Sequence, residues 1–458
     1  MIGYEFEFIV HEGDRPLSKE KFLQLHKELQ ADGWKPKHDP DTGGFTGSTK
    51  DGMYVTTDDG VGVMEINMPP TGTVQESHER LSSLLDKLQE IYRRLGCSIV
   101  GTSVYPGEFD VLNPKCREYC LHPDCCEKSI IKLVLAQRLK ENHHYFFLIA
   151  ANHIWLDLPK NDVATYLHTF NRLSPVIYAL CANGPLFGNK KSGLLDTRDE
   201  VWKQGFAKSL IPHDSSIFGY YQKEPGTIFD YFDFLMDSPP YFLFRNGAGF
   251  KAQDGGTTMH DVIYSEKTPA TWGKGGDFVA TPSLEDIFEL QHTTFPHARL
   301  KFFLREGLTV EEFKNAYDSK DEQKFLDCFA KFCLEVRSVG AQKKGELSAA
   351  PAFLLGIQEN IEKARELVDT RPYSFWTELH AKVQKDGLQA DHEGVSVVDL
   401  ARSALDIAEE GLRKRGKGEG QFLKPIRERI EKKQNPAQEL LAVWEEEGME
   451  GVYKARDF

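Results

Sequence analysis

Glu5 and Glu7 stand between Tyr4, Phe6 and Phe8 in the opening stretch MIGYEFEF. In a β-strand successive side chains point to opposite faces, so the three aromatics share one face and the two carboxylates the other. The aromatics can anchor a core. Like charges on neighbouring same-face positions repel, and the arrangement favours a counter-charge. Such alternation also describes an ordinary amphipathic strand whose polar face meets water. The other reading is a carboxylate pair that holds a cation, and partners elsewhere in the chain must decide between the two.

Four further stretches bear on that choice. In YVTTDDGVGVMEINMPP, Asp58 and Glu65 flank a turn-like DDG, and a strand–turn–strand brings both carboxylates into one cleft. LIAANHIWLDLP sets His153 inside an apolar run, where a hydrogen-bonded core histidine is the ordinary reading. FCLEVRSVG puts Glu335 and Arg337 on one face if extended, and by themselves they make a surface ion pair. GLLDTRDEVW supplies Arg198 in a polar loop. Jointly these carboxylates, imidazole and guanidiniums suit metal-bound nucleotide phosphates. Magnesium is usually shared between protein carboxylates and phosphate oxygens, and arginine forks neutralise phosphoryl oxygens.

The elements that must position these groups can be read from pattern. SKEKFLQLHKELQADG has a helical N-cap at Ser18, helical spacing and a glycine stop. TVQESHERLSSLLDKLQEIYRRLG carries Leu81, Leu84, Leu85, Leu88 and Ile91 at helical intervals. CSIVGTSVYP and HHYFFLIAANHIWLDLP read as strands, and DVATYLHTFNRLSPVIYALCANG as a helix. Strands thus alternate with amphipathic helices, an α+β pattern with helices covering one side of a sheet. From about residue 340 the texture turns helical, in APAFLLGIQENIEKARELVD, SVVDLARSALDIAEEGLRKR and NPAQELLAVWEEEG. The expected organisation is a sheet-and-helix core over residues 1–340 and a mostly helical region over 341–458, packed on the same core. The basic stretch from Arg413 to Lys433 is expected to be a solvated helix surface.

Composition narrows the function. Of the 458 residues 40% are apolar and 28% charged, enough for a large core and a soluble surface. A net charge of −14 argues against nucleic-acid binding, whose affinity rests on phosphate neutralisation. No apolar run is long enough to span a membrane, and the opening has neither a basic leader nor an apolar signal core. A cytoplasmic protein is expected. CREYCLHPDCC gathers Cys116, Cys120, Cys125 and Cys126 around His122, but the spacing fits no standard zinc knuckle. Reduced thiols are expected there rather than structural zinc.

At the acidic and arginine stretches the chain resembles the glutamate–cysteine ligase family, carboxylate–amine ligases with a glutamine-synthetase-like fold. GYEFEF is similar to the family's opening Gly-x-Glu-x-Glu strand, TTDDGVGVME to its second acidic motif and LEVRSVG to its late Glu-x-Arg strand. RLSPVIYALCANGPLFGNKKSGLLDTRDEVW resembles its helix, Asn-x-Pro turn and arginine loop. ATPSLEDIFELQHTTFPHARLK and AAPAFLLGI are similar to stretches of the plant and proteobacterial branch. The family's Ala-Asn-Ser-Pro turn is Ala182-Asn183-Gly184-Pro185 here. About thirty residues separate FPHARLK from Glu335, which makes Glu306 in FFLREG a competing late carboxylate.

The resemblance implies a glutamine-synthetase-like antiparallel sheet forming a cleft, covered by helices. It implies an ATP-dependent ligase of glutathione biosynthesis that joins the γ-carboxylate of glutamate to cysteine through an acyl phosphate, with two or more magnesium ions. Implied metal ligands are Glu5, Glu7, Asp58, Glu65, His153 and Glu335. Implied nucleotide contacts are Glu7, Arg198 and Arg337, with Glu335 and Arg337 in catalysis. Near rivals are a ligase of this fold with another amine acceptor and a phosphotransferase of related fold. Covering loops could come from RNGAGF and GKGGDF, which otherwise read as surface turns.

Overall fold

Alternation of apolar and polar residues builds one sheet from ten strands. They are β1 (Ile2–Glu12), β2 (Arg15–Pro16), β3 (Lys35–His38), β4 (Phe45–Lys50), β5 (Met53–Thr57), β6 (Val63–Thr71), β7 (Ser98–Val100), β8 (Asn152–Leu158), β9 (Ala298–Leu304) and β10 (Phe329–Val336). Their order is β9-β10-β8-β1-β6-β5-β4-β3, with β2 and β7 also pairing with β1. Every pairing in this sheet is antiparallel. The computed structural model describes residues 1–38, 43–58, 60–108, 146–206, 218–240, 243–245, 248–252, 256–272, 276–291 and 294–458. The Cys116, Cys120, Cys125 and Cys126 cluster lies outside the described residues. RNGAGF and GKGGDF border strands of a separate four-stranded sheet, and residues 246–247 and 273–275 within them also lie outside.

Register decides which side chains share a face. Tyr4, Phe6 and Phe8 lie opposite Met68, Ile66 and Met64 of β6, and Tyr4 also faces Ile154 of β8. Leu156 faces Leu334 of β10, which faces Leu300 of β9. All of these are buried. Burying such side chains contributes roughly 1.5–3 kcal/mol each, so this face seats the sheet on its helices.

Those helices are α1 (Lys19–Ala31), α2 (Val74–Arg94) and α3 (Val163–Cys181). Ser18 caps α1, and Thr73 caps α2 by accepting from Glu76 N at 3.2 Å. Helix α3 runs along β9 and β10. After it come α4 (Arg198–Phe206), α5 (Ala349–Glu359), α6 (Ile361–Val368), α7 (Tyr373–Asp386), α8 (Val397–Arg415), α9 (Lys424–Lys432) and α10 (Pro436–Arg456). Side chains from β1, α3, α5, α8 and α9 belong to one contiguous apolar cluster. Among the described residues no helix is long and apolar enough to cross a membrane.

Two details depart from the sequence pattern. The stretch expected as one helix breaks at Asn360 (φ −131°, ψ 40°) into α5 and α6. The Asn360 amide donates to Ile407 O at 3.2 Å and its carbonyl accepts from Lys414 Nζ at 2.8 Å, so contacts with α8 outweigh local helix preference. The stretch from Arg413 to Lys433 is not wholly solvated. Arg429 is buried, donating to Leu180 O at 2.9 Å and Gln342 Oε1 at 2.7 Å and pairing with Glu346, which pins α9 to the end of α3.

Candidate active site

The other face of the sheet is polar. Glu5 lies opposite His153 on one side and Asn67 on the other, Glu7 opposite Glu65, and Glu335 opposite Arg299. Asp58 directly follows β5. Gly60 holds the acidic turn against its neighbour, since a Cβ there would stand 2.8 Å from the Phe147 ring. Crossing from β5 to β9, the face presents Asp58, Glu65, Glu7 and Glu5, then His153, then Glu335 with Arg337, and last Arg299 and Lys301. One half is acidic and the other cationic.

In the acidic half, His153 Nδ1 and Glu5 Oε1 are hydrogen-bonded at 2.9 Å. Glu7 Oε2 accepts from Ala151 N at 2.7 Å. Ligating atoms of Glu5, Glu7 and His153 lie within 4.8 Å of one another, and so do those of Glu7, Asp58 and Glu65. Glu7 is common to both sets. Burial, then repulsion from Glu335, raises the Glu5 carboxyl to about 7. Burial, then Asp58, Glu5 and Glu65, raises Glu7 well above the ordinary range. Burial and then Arg337 push His153 well below its usual value, leaving a neutral imidazole. Crowded oxygen donors that resist ionisation fit magnesium, whose charge relieves their repulsion.

Glu335 sits among the arginines of the cationic half. It is fully buried, and both its oxygens are taken by Arg299, from Nη2 at 2.8 Å and Nε at 2.6 Å. Arg337 Nη1 adds a bond of 2.7 Å, and Lys301 Nζ stands 3.9 Å away. Although burial opposes ionisation, Arg299 and then Arg337 hold this carboxyl well below its ordinary range. It is the counter-charge of the cationic half and stands outside both ligand sets. The competing Glu306 is exposed in the turn after β9. Arg198 is buried at the start of α4, with Nε 3.0 Å from Asp196 Oδ1 and Nη1 3.3 Å from Val339 O.

The sequence profile described as glutamate-cysteine ligase family 2 matches residues 1–455. The chain belongs to that family. Glutamate–cysteine ligase, chloroplastic, of Solanum lycopersicum is 24% identical over 397 residues, covering 84% of this chain and 64% of the relative. Glutamate–cysteine ligase A, chloroplastic, of Oryza sativa subsp. indica is 26% identical over 295 residues, covering 62% and 50%. The chain spans between half and just under two thirds of the length of these two relatives. Among solved structures, a glutamate–cysteine ligase from Francisella tularensis in complex with AMP aligns with a TM-score of 0.49 and 10% identity, covering 99% of this chain and 86% of that one.

In this member of glutamate–cysteine ligase family 2 the pattern reading overlooked Arg299 and Lys301. Both alternate with Leu300 and Phe302 in ARLKFF, the same period-two signal as the opening strand. Burial, then the neighbouring Arg299, depresses the Lys301 ammonium. Its Nζ stands 5.3 Å from the centre of the Trp155 ring, a cation–π contact.

Proposed function

We propose that this chain is an ATP-dependent ligase that joins the γ-carboxylate of glutamate to the amine of cysteine. Family membership supports the reaction class, and the division of one sheet face into acidic and cationic halves carries the reading. A carboxylate repels an amine, so it must first be activated. Its oxygen attacks the γ-phosphorus of ATP, ADP leaves, and an acyl phosphate forms. The amine nitrogen then bonds to the acyl carbon and loses a proton, and the C–O bond to phosphate breaks.

Glu5, Glu7, Asp58 and Glu65 would hold magnesium, which when bound offsets phosphoryl charge. His153 orients Glu5 through its hydrogen bond. Glu335 aligns Arg299 and Arg337, and the Arg337 donors not spent on Glu335 suit phosphoryl oxygens. Arg198 adds a further guanidinium beside them. Cys97, Cys181, Cys328 and Cys333 are buried free thiols, which suits a reducing compartment such as the cytoplasm.

Glutamate labelled with oxygen-18 in its γ-carboxylate tests this reading. With ATP, magnesium and cysteine, one label should pass into inorganic phosphate while mass spectrometry identifies γ-glutamylcysteine. Unlabelled phosphate beside amide product overturns the acyl phosphate. Preference for another amine reassigns the acceptor, and a phosphorylated product without amide makes the protein a phosphotransferase.

A further inference from the structure

Beyond the acidic half of the cleft, three ligating side chains from distant parts of the chain meet in the interior. Asp199 is the second residue of α4, His297 directly precedes β9, and His380 lies within α7. All three are buried. One ligating atom from each lies within 4.8 Å of those of the other two. His380 Nε2 is 2.9 Å from Asp199 Oδ2, and the two imidazole rings are 4.5 Å apart between centroids.

The local polar groups are incompletely matched. Among the described residues, His380 Nδ1 and the Tyr220 hydroxyl are buried without a hydrogen-bond partner. The Tyr220 ring sits edge-on to both imidazoles, 5.1 Å from His297 and 5.4 Å from His380. The neighbouring Arg198 turns its Nε to Asp196. Burial first, then His380, pushes the His297 imidazole down to about 3, leaving a neutral ring with a lone pair for coordination. Burial would raise the Asp199 carboxyl, yet the His380 hydrogen bond and, among the charges around it, Arg198 hold it below the ordinary range.

We propose that Asp199, His297 and His380 bind one zinc ion. Two imidazoles and a carboxylate are a borderline donor set that suits zinc, whereas magnesium takes oxygens. Gln384 donates its amide to Asp199 Oδ2 and so orients that ligand from behind. Tetrahedral zinc then has a fourth position open. The ion links α4, the residue before β9 and α7, so its binding stabilises the fold. None of this depends on the reaction proposed above.

The full chain, stripped with chelator, is exposed to zinc under excess magnesium, desalted, and analysed by mass spectrometry for metals. We expect about one zinc retained per chain, and at least tenfold less in His297→Ala and His380→Ala. Zinc should raise the melting temperature of the wild type and leave both variants unmoved. Should an alanine variant fail to fold, cobalt(II) added to the stripped wild type gives a second readout. It should produce visible d–d absorption that zinc abolishes. Zinc-free wild type after desalting, equal zinc in wild type and folded variants, or cobalt without those bands overturns the proposal.

Discussion

Glu65 and Glu335 are both glutamates on the polar face, yet their surroundings assign them opposite weights. Glu65 sits among like charges, so Glu65→Gln removes repulsion and one proposed cation ligand together. Turnover should fall by about a hundredfold or more, equivalent to ~3 kcal/mol of transition-state stabilisation, while the melting temperature without metal holds or rises. Near-normal turnover would remove Glu65 from the metal site. Glu335→Gln should instead unfold the protein more readily. It leaves the buried Arg299 and the half-buried Arg337 against a neutral amide, and breaking one side of a buried ion pair costs about 3–5 kcal/mol. Denaturant titration measures that loss, and a stability within about 1 kcal/mol of wild type would contradict the geometry. Arg337→Lys keeps the charge but not the planar fork. It should lower turnover with little change in melting temperature, and the reverse pattern would make Arg337 a mere partner of Glu335.

The crossing of α5 and α8 offers a test in which two effects oppose each other. Gly411 lies inside α8, where alanine ordinarily stabilises a helix by about 1 kcal/mol. A Cβ at Gly411, however, would stand 2.0 Å from Gly356 O, and one at Gly356 would stand 2.3 Å from Ala408 O. Backbone on both sides leaves no flexible side chain to yield, so the clash wins. Gly411→Ala should destabilise by roughly 1–3 kcal/mol, read as a lower thermal midpoint. A raised midpoint would mean that the helices do not approach this closely.

Across the whole molecule, the acidic half links stability to pH and to magnesium. The folded-state value of Glu5 is raised from 4.5 to about 7, so the native protein binds this proton more tightly than the unfolded chain. Its stabilising contribution is complete below about 4.5 and is lost as pH rises towards 7. Glu335, lowered in the fold, has the opposite sign, and its contribution disappears only on acidification. Magnesium binds the ionised ligands. The gain in melting temperature from magnesium should therefore be small near about pH 5 and largest near about pH 8. A gain independent of pH would separate the ion from these carboxylates.

Period-two alternation in GYEFEF, VMEINM, NHIWLDL, ARLKFF and FCLEV already determines which residues leave the core, because a strand's pleat leaves its side chains no other choice. The shared face of Glu5, Glu7 and Glu65 was readable for that reason, the turn brought Asp58 to them, and Ser18 was readable as a helix cap. Which polar residues meet is another matter, since pairing register is non-local. Glu335 and Arg337 were recognised as a pair, but the stronger partner Arg299 lies 36 residues away on another strand. Only the β9–β10 register sets Arg299 against Glu335 and gives that carboxylate its buried counter-charge. The break at Asn360 and the burial of Arg429 likewise follow from neighbours remote in sequence. Local pattern settles the face on which a side chain emerges. Its partner depends on strand order and helix packing, which bring together Asp199, His297 and His380 from three separate elements.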